Sequence, residues 1–136
     1  MKLPDPTAGA GLVIRFDYTW YKDHFKKQLP CAIVLASSQT GMVTVVPITH
    51  SYPDIGEEDQ SLQVPEDVCK AMGLEGINYV RLSEVNRFEW PSDRIKPLPN
   101  DPSRCGYGNV PKDFFLEIRK RLAEAVRAGR LNTSKV

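Results

Sequence analysis

His24 and His50 are the two imidazoles of this 136-residue chain, and each stands beside groups able to act on a phosphodiester. His24 lies in YKDHFKKQ, Tyr21 to Gln28, next to Lys26 and Lys27 and between the aromatic residues Tyr21 and Phe25. His50 lies in the triplet Thr49, His50, Ser51, with a hydroxyl on either side. Cleaving RNA through its 2′-hydroxyl needs a base for that proton, an acid for the leaving oxygen, and cations for the charge that gathers on the phosphorane. Imidazole serves either proton role near neutral pH, and ammonium or guanidinium groups held in place serve the third. If the basic segment folds back over Thr49 to Ser51, these needs are met without a metal or cofactor. Read more plainly, His24 is a solvated loop residue and His50 a turn residue bonded to backbone, and spacing alone leaves both open. The chain has no P-loop, G-x-G-x-x-G or H-E-x-x-H pattern.

The elements that must position these residues are short. Leu12 to Trp20 alternates apolar and polar residues and reads as a strand. Tyr21 to Gln28 lacks apolar periodicity and reads as an exposed loop. CAIVLA, Cys31 to Ala36, and MVTVVPI, Met42 to Ile48, flank a turn and form a buried hairpin, with Pro47 expected at an edge, bulge or strand end. Pro65 and Gly73 bracket a two-turn helix. Strand character returns from Ile77 to Val85 and extends into RFEW, after which IKPLPNDPSRCGYGNV reads mostly as loop. Phe114, Phe115, Ile118, Leu122 and Val126 share one face of an amphipathic helix over about 111–128, and LNTSKV reads as a frayed tail. Short strands joined by tight turns predict a barrel.

Composition sets bounds on the whole. The length suits one domain, residues 1–136, with one core. A formal charge of +1 leaves any anion-binding role to local patches. Met1 to Ala10 holds Pro4, Asp5 and Pro6 and no apolar run, which predicts a cytoplasmic protein with no membrane association. Cys31, Cys69 and Cys105 are widely spaced and odd in number, which predicts free thiols and no metal site. Arg119, Lys120, Arg121, Arg127 and Arg130 read as the solvated face of the last helix.

GLVIRFDY, LPCAIVLA, VTVVPITHS, YVRLSEVNRFEW and SDRIKPLP follow one another in an order that resembles the MazF/PemK toxin family up to about Pro99. The resemblance implies a mainly β fold with α elements, an SH3-like β-barrel of the MazF/PemK/CcdB type. It also implies a homodimeric, metal-independent endoribonuclease on single-stranded RNA, silenced by an antitoxin whose peptide fills the RNA groove. The family's active-site threonine carries over to Thr49. Its catalytic arginine, which precedes the proline opening the second strand, falls on Leu29.

Three expectations compete at Leu29. Lys27 or Arg87 takes over the phosphate while His24 and His50 move the protons. Alternatively, the barrel binds RNA or an antitoxin without cutting. In the third case it is a peptide-binding module whose groove is lined by Trp20, Tyr21 and Phe25. Tyr21 and Phe25, with Lys26 and Lys27 beside them, fit a stacking platform for single-stranded RNA.

Overall fold

The computed structural model describes residues 1–7 and 11–136; the last three residues of the opening segment, 8–10, lie outside it. Three long strands carry the fold: β1 (Leu12–Thr19), β2 (Lys26–Ala36) and β3 (Met42–Thr49), each antiparallel to the next. Both faces of this layer are covered, which is why Cys31 to Val34 is continuously apolar rather than alternating. On one face Val13, Ala32, Val34, Val46 and Ile48 meet the helices, through Met72, Phe115, Ile118 and Leu122. On the other, Ile14, Phe16, Leu29, Cys31, Ile33, Val43 and Val45 enclose a second cluster with Phe88 and Ile95.

The remaining elements trim this layer. After a single 3₁₀ turn come β4 (Ser61–Gln63), α1 (Glu66–Ala71), β5 (Tyr79–Arg81) and β6 (Glu84–Glu89). They are followed by β7 (Ile95–Lys96), β8 (Gly106–Asn109), α2 (Lys112–Arg127) and β9 (Asn132–Lys135). Pro65 and Pro111 precede the first turns of α1 and α2, where a missing N–H costs no helical hydrogen bond. The strand expected from Ile77 to Val85 is two: β5 pairs with Ile48 and Thr49, and β6 with Met42 to Val45. Pro47 falls between these partners, so the irregularity expected of it is the point where β3 changes neighbour.

Four expectations are corrected. The basic segment is no loop from Tyr21 to Gln28, because Lys26, Lys27 and Gln28 already pair with Thr19, Tyr18 and Asp17 and only the turn is free of the ladder. The glycine-rich stretch after Cys105 is a strand, β8, paired with β1. Its glycines serve close packing: a Cβ on Gly108 would lie 2.9 Å from the Met72 carbonyl, and one on Gly73, at φ +75°, would lie 2.2 Å from the Tyr107 carbonyl oxygen. The tail is β9, parallel to β6. In α2 the buried face is Phe115, Ile118, Leu122 and Ala125, with Val126 60% exposed.

Nor is the barrel closed by backbone. The order β4-β5-β3-β2-β1-β7 is open among the described residues, with β6 branching from β3 and β8 from β1. A side chain spans part of the gap. Asn86 on β6, fully buried, accepts the Thr19 N–H and donates to the Thr19 carbonyl, both at 2.9 Å, as a paired peptide would.

Candidate functional site

A cleft of about 630 Å³ opens where β3 leaves the sheet, a size ordinary for ligand sites. One wall is the start of β2, Lys27 to Pro30; the floor is Ile48 to Ser51; the far walls are the turn after α1 and the segment from Leu98 to Tyr107. The Gly73 contact with Tyr107 joins the two far walls backbone to backbone.

His50 is the best-oriented group in it. Its Nδ1 lies 2.8 Å from the Ile77 carbonyl oxygen, which can only accept, so in the neutral ring Nδ1 carries the proton and Nε2 has the lone pair. The turn that leads into Ile77 is held by Asn78, which is 1% exposed. The Asn78 amide donates to the Glu75 carbonyl at 2.9 Å and the Gly76 carbonyl at 3.2 Å, and lies 3.3 Å from the Cys69 sulfur. Gly76, at φ +75°, passes beside the ring: a Cβ there would sit 3.6 Å from the His50 Cε1. Thr49 is 6% exposed, and its Oγ1 accepts the Ser51 N–H at 3.1 Å, which leaves its hydroxyl hydrogen free to donate.

The structure thus brings Thr49, His50 and Lys27 to one cleft. The remaining sequence candidates do not line it. His24 sits in the β1–β2 turn with a left-handed backbone, φ 57°, its N–H bonded to the Trp20 carbonyl. The expected fold-back over β3 does not occur, because Glu84 of β6 holds this turn by accepting from the Tyr21 N–H and the Tyr18 hydroxyl, both at 3.0 Å. Burial pushes the Glu84 carboxyl up against these hydrogen bonds, and burial likewise raises the Tyr18 phenol far above its usual range. Tyr21 and Phe25 are exposed on that turn. Successive strand residues face opposite ways, so Lys26 lies in a separate polar recess with Asp17, Asp93, Arg94 and Lys96. Arg87 is exposed on β6 between Thr44 and Lys135.

Leu29 lines the cleft, but its side chain is 6% exposed and belongs to the inner apolar cluster, so no cation rises from that position. Asn78, Arg104 and Tyr107 were not singled out by sequence reasoning. Arg104 and Tyr107 lie in a stretch that reads as loop, and no spacing ties any of the three to His50. Arg104 Nε is ion-paired with Asp101 at 3.2 Å.

No family model matches the chain, and no curated protein does. Solved structures do. The crystal structure of MazE-MazF from Deinococcus radiodurans aligns over 93% of this chain and 97% of its own, with a TM-score of 0.56 at 18% identity. Agreement of this extent at such identity speaks for backbone architecture and not for site chemistry. The chain therefore has a MazF-like fold, mainly antiparallel β with two helices packed against one face of its central strands.

Proposed function

We propose that this protein is a toxin of the toxin-antitoxin kind that cuts single-stranded RNA in the His50 cleft without a metal. The observation that carries the reading is the His50 tautomer, since in the neutral ring the Ile77 carbonyl leaves Nε2 with a lone pair, in a cleft that Lys27 and Thr49 also line. His50 Nε2 takes the proton of the 2′-hydroxyl as its oxygen bonds to phosphorus. Lys27 and the Thr49 hydroxyl carry the charge on the non-bridging oxygens. The bond to the 5′-oxygen breaks, that oxygen takes a proton from solvent in the open cleft, and a 2′,3′-cyclic phosphate and a 5′-hydroxyl remain. With His24 held outside the cleft, His50 acts as the one imidazole. The similar MazF-fold chain comes from a complex with MazE, and a partner of that kind seated in the cleft would exclude RNA and act as an antitoxin.

A second reading, binding without cleavage, is favoured by one observation, the apolar Leu29 where the family resemblance places an arginine. Incubating a mixed single-stranded RNA with wild type, His50→Ala, Lys27→Ala and Lys26→Ala in EDTA separates the two. The cleavage reading expects cyclic-phosphate products, lost about 100-fold or more in His50→Ala, reduced in Lys27→Ala and near normal in Lys26→Ala. Intact RNA at high wild-type concentration, with retardation in a gel, would establish the second reading.

A further inference from the structure

Arg104 stands on the cleft wall with its side chain 62% exposed. Its Nε is ion-paired with Asp101 Oδ2 at 3.2 Å. Asp101 is itself held, since its Oδ1 accepts both the Ser103 N–H at 3.1 Å and the Ser103 hydroxyl at 2.5 Å, and these bonds keep the carboxyl below its usual range. The turn is closed by its own backbone: the Leu98 N–H donates to the Arg104 carbonyl at 2.9 Å and the Arg104 N–H to that of Asp101 at 3.3 Å. The carboxylate thus lies at Nε, and among the described residues neither terminal nitrogen has a hydrogen-bond or ion-pair partner. Tyr107, half-buried, lines the same cleft, with Leu29, Leu74 and Leu98 supplying apolar surface.

A planar fork of two donors in a cleft that also carries an aromatic ring matches one nucleobase edge. Guanine presents two adjacent acceptors, O6 and N7, and an arginine fork is their commonest specific partner; adenine puts a donor at the corresponding place, and the pyrimidines lack the pair. In an unpaired strand that edge is open to side chains and the base face is free to stack. We infer that Arg104, held by Asp101, is a specificity-determining residue that selects a guanine in the cleft, stacked at Tyr107. The inference rests on the RNA reading above and adds the base to it. Lys27, a point charge without a fork, is left to the phosphate.

Binding of wild type, Arg104→Lys and Asp101→Ala is measured at fixed salt to single-stranded oligouridines carrying one central guanosine, adenosine or 7-deazaguanosine. The last keeps the guanine ring but lacks the N7 acceptor. Wild type is expected to prefer guanosine over the other two by roughly five- to 150-fold. Arg104→Lys keeps the charge and should lose that preference, holding the adenosine oligomer as wild type does. Asp101→Ala should relax the preference, and circular dichroism shows whether its turn survives; Arg104→Lys alters an exposed side chain and keeps the test open if it does not. Equal binding of all three oligomers by wild type overturns this inference and leaves the RNA reading standing. A uniform loss in Arg104→Lys across all three, with a reduced salt slope, marks a phosphate contact and overturns it too. No binding of any oligomer overturns both.

Discussion

Two buried asparagines act at the C-terminal ends of β1 and of β3, and they do so differently. At the hairpin end, Asn86 imitates a peptide group and bonds both backbone groups of Thr19, across a gap that no ladder fills. At the cleft end, Asn78 bonds the carbonyls of Glu75 and Gly76 within its own turn, next to the Ile77 carbonyl that orients His50. The first joins distant elements and serves the fold; the second is local and serves the geometry of one ring. The same amide therefore has separable consequences at the two places, one read in stability and the other in activity.

Removing Asn86 should have the largest effect. Asn86→Ala strands a buried donor and acceptor at Thr19, for a loss of roughly 2–4 kcal/mol in urea unfolding; a loss under about 1 kcal/mol would show that the gap is held by packing alone. Asn78→Ala is expected to cost about 1–3 kcal/mol, with a fall in RNA cleavage or binding at a temperature where the variant is folded. An activity change no larger than the folded fraction explains would erase the contrast between the two ends.

Glu84 gives a finer test at the hairpin end. Its carboxyl titrates higher folded than unfolded, so the folded form binds more protons in that window, and the group's contribution to stability is present at low pH and lost as pH rises through the raised value. Glu84→Gln keeps an acceptor for Tyr18 and Tyr21 and removes the charge. Its stability relative to wild type should rise across that window and level off above it, as followed by urea midpoints at several pH values; a pH-independent difference would deny Glu84 its buried charge. The smallest effect belongs to Val126→Lys, within about 0.5 kcal/mol of wild type, because that side chain is exposed on α2.

What the sequence made legible followed from burial. The apolar runs of β1, β2 and β3, the proline and glycine limits of α1, and the periodicity of α2 all report side chains that leave water. Lys26 to Gln28, β8 and β9 pair through backbone while their side chains stay exposed or half-buried, so their residues carry no apolar pattern. The site divides the same way. Thr49 and His50 were visible beside the Pro47 irregularity, and Lys27 from its charge. His24 shares that composition yet lies outside the cleft, because Glu84, sixty residues on, fixes the turn. Arg104 reaches the cleft through a turn that resembles any polar loop. Which side chains meet is decided by register and by such distant anchors, neither of which composition records.

The contact of Gly73 with the Tyr107 carbonyl bears on how the cleft can move. Two backbones in van der Waals contact leave no side chain to rotate out of the way, so that corner has one width, and a ligand cannot spread it without breaking the packing of α1 on β8. Any change in the cleft's width must then fall to its opposite rim, at Lys27 and the hairpin beyond it. A scan of substitutions at Gly73 and Gly108 would find two positions that look like linkers and tolerate nothing larger than hydrogen.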